Sequence, residues 1–217
     1  MDEIFEYVIG DFMPNIKAVF LDVDGVLNWM GSKSMCVADG IPYLGIDSNK
    51  VKRLSKIIKA TDAKIVLTSD WGRQFNIGAY KQETKHGQYL SNKLRKEGLR
   101  VYDKVDWNNF QRRQRGAAIM DWVERHPNLE SWVVLDDEWF WVYDKEPIRE
   151  RFIHCFSQCG TPTKNHEKYC GLTESLADHA INILLGQESG TFQDEEGTKF
   201  LKTNPWKIND YSNLLGI

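Results

Sequence analysis

A short apolar run that stops abruptly on an acidic residue recurs three times in this chain, and no other feature constrains its fold as strongly. Ile16-Lys17-Ala18-Val19-Phe20-Leu21 is rich in branched and aromatic residues, as a buried strand is, and it ends at Asp22-Val23-Asp24. Lys64-Ile65-Val66-Leu67 runs into Thr68-Ser69-Asp70, and Trp132-Val133-Val134-Leu135 runs into Asp136-Asp137. Between these runs, apolar residues fall at helical spacing. Val51, Leu54, Ile57 and Ile58 predict a helix over 47–60 with Asp47 or Ser48 as its N-cap. Tyr89, Leu90 and Leu94 predict one over 88–97 stopped by Gly98, and Ile119, Trp122 and Val123 predict one over 116–125. The segments 99–102 and 151–156 read as further strands, and Thr173 caps a last helix ending at Leu185-Gly186. Strands alternating with helices predict an α/β fold, an open and mostly parallel sheet with helices on both faces.

Length and composition bound the rest. A chain of 217 residues with 41% hydrophobic and 27% charged residues has the make-up of a folded domain with embellishments, not of a disordered protein. Its 28 Lys and Arg against 31 Asp and Glu leave a formal charge of -3, so any contact with a polyanion must come from a local basic patch. Lys93-Leu94-Arg95-Lys96 and Arg112-Arg113-Gln114-Arg115 are two such clusters, although runs of this kind usually form solvated helix faces. No apolar run reaches the roughly 18 residues of a membrane span, and Met1-Asp2-Glu3 carries acid where a signal peptide carries base. The expectation is a cytoplasmic protein with no membrane partner. Cys36, Cys155, Cys159 and Cys170 fit reduced thiols there, and their spacing, even with His154 and His166, matches no closed zinc template.

In open α/β sheets ligands bind outside the carboxyl ends of the strands, which is where the acids fall. One Asp pair alone is more often a turn or a helix cap. Three such endings on one edge are different, because clustered carboxylates repel unless a cation or proton is shared. A hard divalent ion such as Mg2+ suits them, since it is held by one or two carboxylates and leaves positions for phosphate and water. Asp22, fixed at a strand end, has the place of a nucleophile, and Asp24 two residues on that of a general acid and then base. Gly25 permits a sharp turn there. Thr68 and Ser69 offer hydroxyl and N–H donors to a phosphoryl oxygen, and Arg115 the cation that balances transition-state charge.

Phe20-Leu21-Asp22-Val23-Asp24-Gly25-Val26-Leu27-Asn28 resembles the first motif of the haloacid dehalogenase (HAD) superfamily, mostly Mg2+-dependent phosphatases that use two aspartates. The segments 63–71, 115–122, 134–137 and 171–173 resemble, in order, the HAD domain of the Swiss Army Knife RNA repair group, so the likeness spans roughly residues 16 to 186. It implies a Rossmannoid three-layer sandwich over residues 15–186, whereas Ile4, Phe5, Val8 and Phe12 before Pro14 predict a short helix in an N-terminal extension (1–14), and 187–217, with no catalytic pattern, reads as a C-terminal tail. The likeness also implies a second-motif role for Thr68 and a third-motif role for Arg115. Asp137 becomes the direct metal ligand, Asp136 acts behind it through water, and Asp22 and Asp24 complete the metal set. The group often reads Ser-Ser-x-Trp-Arg after the second strand. Here Trp71 is followed by Gly72 and then Arg73, which displaces the substrate-binding Arg by one residue.

The gaps between motifs leave no room for a large cap, and an open site suits a polymer end better than a small metabolite. Trp139, just past Asp137, has a ring that stacks on a base if exposed, and Lys164 lies in a long loop that either lines the mouth of the site or, as is more usual, forms solvated surface. Three readings follow: a phosphatase of phosphorylated RNA or DNA ends, a nucleotide or other small-molecule phosphatase, and a catalytically silent module on the same fold. Intact Asp22 and Asp24 weigh against the third. The chain contains no G-x-x-x-x-G-K-[ST] pattern, so it carries no kinase P-loop.

Overall fold

In a computed structural model, the described residues are 14–29, 32, 35–38, 41–106, 108–110, 114–138, 143, 147–156 and 169–193. Six parallel strands form the central sheet: β1 (Ile16–Leu21), β4 (Lys64–Leu67), β5 (Val101–Lys104), β6 (Leu129–Asp136), β7 (Arg151–His154) and β8 (Gly190–Gln193). Their order is β5-β4-β1-β6-β7-β8. Two short strands, β2 (Met35–Ala38) and β3 (Ile41–Leu44), make a separate antiparallel hairpin. Four helices complete the architecture: α1 (Ser48–Thr61), α2 (Lys85–Arg95), α3 (Arg115–Glu124) and α4 (Glu174–Leu184).

The period-two alternation of β1 divides the core. Val19 and Leu21 face a cluster built with Leu54 and Ile57 of α1, Leu90 of α2 and Ala177 of α4. Ala18 and Phe20 face the opposite layer, where Ile119 and Trp122 of α3 pack with Val66 and Val134. Both faces are therefore covered, and β1 is apolar on both sides, as a central parallel strand requires. The expected α/β class holds, with helices on both faces of a parallel sheet.

Several boundaries differ from expectation for local reasons. Helix α2 begins three residues early because the Thr84 hydroxyl accepts from the Gly87 N–H, and its end is closed by Gly98 at φ 76° with Leu99 N–H donating to the Leu94 carbonyl. Strand β7 stops at His154, since Phe156 turns away into an isolated bridge with Gly171. The β2–β3 hairpin was not anticipated: its strands have four residues each, and Pro42 weakens the strand pattern. Strand β8 lies beyond residue 186, in the segment assigned to a tail, and pairs with β7. Cys155 is a buried free thiol, whereas Cys170 is disulfide-bonded, which departs from the expectation of reduced thiols. No helix among the described residues is long and apolar enough to cross a membrane.

Candidate active site

The chain leaves β1, fills one flank with β4 and β5, then crosses to β6 on the other flank. The crevice at such a reversal, at the carboxyl ends of β1 and β6, is the ligand position of an open α/β sheet. Asp22 stands there, 4% exposed, its backbone N–H donating to the Leu135 carbonyl at 2.9 Å. One of its carboxylate oxygens accepts from the Val23 N–H (2.8 Å) and the other from the Arg115 guanidinium (2.6 Å). Backbone and side chain are thus both fixed before any ligand arrives.

Arg115 opens α3 on the far side of the crevice and is itself buried. The same nitrogen that meets Asp22 donates to Asp136 Oδ2 at 2.7 Å. Burial works against its charge, but Asp22 and Asp136 outweigh burial and raise its pKa above the usual arginine value. Asp136 is fully buried, and its Oδ2 also accepts from the Tyr143 hydroxyl (3.0 Å) while Oδ1 accepts from the Glu138 N–H (2.9 Å). Burial, and then the nearby charge of Asp22, hold the Asp136 carboxyl above the ordinary range despite Arg115.

Asp22, Asp136 and Asp137 each offer a carboxylate oxygen, all within 4.8 Å of one another. Three carboxyl groups against one guanidinium leave an excess of acid in a crowded place, which, on top of burial, holds Asp136 toward its neutral form. That excess, together with an all-oxygen donor set, is what a hard divalent cation neutralises, so these residues fit Mg2+. Gly25 makes the approach possible. Its φ is 73°, and a Cβ there would stand 2.1 Å from Asp137 Cγ. Only a glycine leaves space for the Asp137 carboxylate over this turn.

Asp24 does not contribute a side-chain oxygen to that cluster. Its two oxygens are engaged elsewhere, Oδ1 by Asn28 Nδ2 and Oδ2 by the Trp71 indole N–H, both at 2.8 Å. The residue still opens to solvent. The crowding of protein around its carboxyl raises its pKa most, the charges of Asp22 and Asp70 add to that, and the bonds from Asn28 and Trp71 pull it down. A carboxyl shifted upward and reachable from outside is suited to exchange a proton with a ligand.

The end of β4 supplies the third wall. Thr68 is fully buried, held by its N–H to the Leu21 carbonyl (3.0 Å), and its hydroxyl has no hydrogen-bond partner among the described residues. Buried hydroxyls nearly always find a partner, so this one stands out at the end of β4. Ser69 instead caps the short 3-10 helix Asp70–Gln74, accepting from the Trp71 N–H.

Trp71 and Arg73, both expected to bind substrate, have different surroundings. Trp71 is buried and its indole holds Asp24, so it has no free face to offer a ligand. Arg73 is half-exposed, pairs with Asp70 at 3.0 Å, and lines a groove with Asp103, Lys104, Asp106 and Asn108 beside β5. Trp139 and Lys164 lie outside the described residues. Two contributors escaped the sequence. Asn28 lies four residues after Asp24, and its amide accepts from the Gly25 N–H (2.9 Å) and donates to Asp24 and to the Leu44 carbonyl (3.3 Å). Its place in the first-motif segment was the available signal. Tyr143 had none, because no local sequence pattern ties it to Asp136.

No curated protein and no solved structure matches the chain. A family model described as the HAD domain in Swiss Army Knife RNA repair proteins matches residues 18–165, more than half of the chain. That span runs from β1 through β7 and contains Asp22, Arg115, Asp136 and Asp137. The chain therefore belongs to the HAD domain family of the Swiss Army Knife RNA repair proteins, a membership that supports a HAD-type phosphatase.

Proposed function

We propose that this protein is a Mg2+-dependent phosphomonoesterase that removes a terminal phosphate from a nucleic acid through an aspartyl-phosphate on Asp22. The observation that carries this reading is the arrangement around Asp22, a carboxylate fixed by Val23 and Arg115 within 4.8 Å of the carboxylates of Asp136 and Asp137. Mg2+ held by Asp22 and Asp137, with Asp136 behind them, supplies charge neutralisation for the phosphoryl oxygens when bound.

The chain's own residues do the rest. A carboxylate oxygen of Asp22 attacks phosphorus, the bond from phosphorus to the ester oxygen breaks, and protonated Asp24 gives its proton to that leaving oxygen. Thr68 donates its hydroxyl proton in a hydrogen bond to a phosphoryl oxygen, and Arg115 offsets the charge that gathers on the transferring group. Asp24, now ionised, takes a proton from water as the water attacks phosphorus, releasing inorganic phosphate and restoring both carboxyl groups. The family description favours RNA ends as substrate. The exposure of Asp24 supports a site that a polymer end reaches from outside.

A phosphate-release screen comparing 3'- and 5'-phosphorylated oligonucleotides with mononucleotides, with and without EDTA, tests the proposal. Release from one kind of oligonucleotide end, abolished by EDTA and restored by Mg2+, is the expected outcome. Faster release from mononucleotides would move the substrate to small molecules, and full activity in EDTA would remove the metal.

A further inference from the structure

We infer that Trp71 is a positioning residue for the acid–base group, holding the Asp24 carboxylate in its working orientation through the indole N–H; the inference rests on the phosphatase reading of the site. Trp71 lies 47 positions from Asp24, in a different element, yet its Nε1 donates to Asp24 Oδ2 at 2.8 Å. Its ring is 2% exposed, so neither face is open to a base or a sugar. An indole N–H is a donor only. It cannot take the proton that Asp24 exchanges, and so it orients without competing.

The indole is itself held on several sides. The Trp71 backbone N–H bonds to Ser69 Oγ, and its ring packs against His86 of α2 with centroids 3.6 Å apart and against Tyr43 of β3 at 5.8 Å. Tyr43 stacks on His86 in turn, at 4.2 Å. Asn28 completes the clamp, donating to the other Asp24 oxygen and to Leu44 of the same β3 strand. One bond to each oxygen defines the plane of the carboxylate. Asp24 itself remains exposed, so a leaving group can reach it from solvent. Arranged this way, the β3 strand and α2 brace the proton donor and touch no reacting atom.

Proton donation matters in proportion to the basicity of the leaving group, which separates positioning from a general structural role. The measurement is kcat/KM, which reports the steps up to formation of the phosphoenzyme, across aryl phosphates of rising leaving-group basicity and an alkyl phosphate. Trp71→Phe is expected to lose about 10- to 100-fold on the alkyl phosphate and only a few-fold on nitrophenyl phosphate, since misplacing an acid forfeits part of the roughly 100- to 10,000-fold it supplies. A second protein carries the benzothiophene analogue of tryptophan at position 71, which keeps the ring's shape and replaces N–H by sulfur. It is expected to show the same graded loss, and it decides the matter if Trp71→Phe does not fold. A loss of equal size on every leaving group, or no loss in the analogue, overturns the inference while leaving the phosphatase reading intact. Absence of phosphate release by the wild-type protein from any of these substrates overturns the phosphatase reading, and the inference with it.

Discussion

Thr68 brings stability and chemistry into conflict at a single residue. A buried hydroxyl without a partner costs about 1–3 kcal/mol relative to a bonded one, and the fold gains nothing from it. Thr68→Val keeps the branched shape and removes the polar atom. The expected outcome is a urea midpoint equal to or above that of the wild type, with phosphate release lowered by about ten-fold or more for the lost donor. A variant that is both destabilised and fully active would show that the hydroxyl serves the fold. At this scale the sequence exposed residues that carry charge at strand ends, because a strand followed by acid is a local pattern. Asp22, Asp136 and Asp137 come together on that basis, and Arg115 joins them from the start of α3. What stayed hidden was the use of each donor. Trp71 was expected to bind substrate, and its indole bond to Asp24 across 47 positions was not legible, nor was the contact of Tyr143 with Asp136, which tertiary packing makes.

At the scale of elements, the strands and helices were legible because strands such as β1 are short apolar runs, while α1 repeats its apolar residues with a period near 3.6. Their ends were less so, being set by single hydrogen bonds such as Thr84 to Gly87, and the four-residue hairpin strands were too short to show a period. Helix α4 illustrates how much one cap contributes. Thr173 is buried, its hydroxyl accepts from the Leu176 N–H at 3.2 Å, and it follows directly on Leu172, whose N–H donates to the Val26 carbonyl beside the Gly25 turn. Thr173→Ala is expected to cost about 1 kcal/mol in equilibrium urea unfolding, with the denaturant slope unchanged, and Thr173→Ser to recover most of it. An Ala variant as stable as the wild type would mean that the helix end is satisfied in another way.

Across the whole molecule, the order β5-β4-β1-β6-β7-β8 places β1 and β6 side by side at the reversal, and the catalytic proposal follows from that adjacency. Parallel pairing aligns Leu21 with Leu135, so Asp22 and Asp136, one residue further on each strand, arrive at the same level. Helix α3 crosses the sheet from there and delivers Arg115 between them. The alternation of strands and helices predicted such a sheet, but strand order is a matter of long-range pairing that no local pattern encodes, and the sixth strand was hidden in a short segment rich in Gly and polar residues. The most direct test of the account is acid-quench trapping of the protein during turnover in Mg2+, with intact-mass and peptide mapping of wild type, Asp22→Asn and Asp24→Asn. The account predicts one phosphoryl group on Asp22 in the wild type, accumulation of that species in Asp24→Asn with a good leaving group, and none in Asp22→Asn, which is also inactive. Near wild-type turnover by Asp22→Asn, or a phosphoryl group mapped to any other residue, would contradict it.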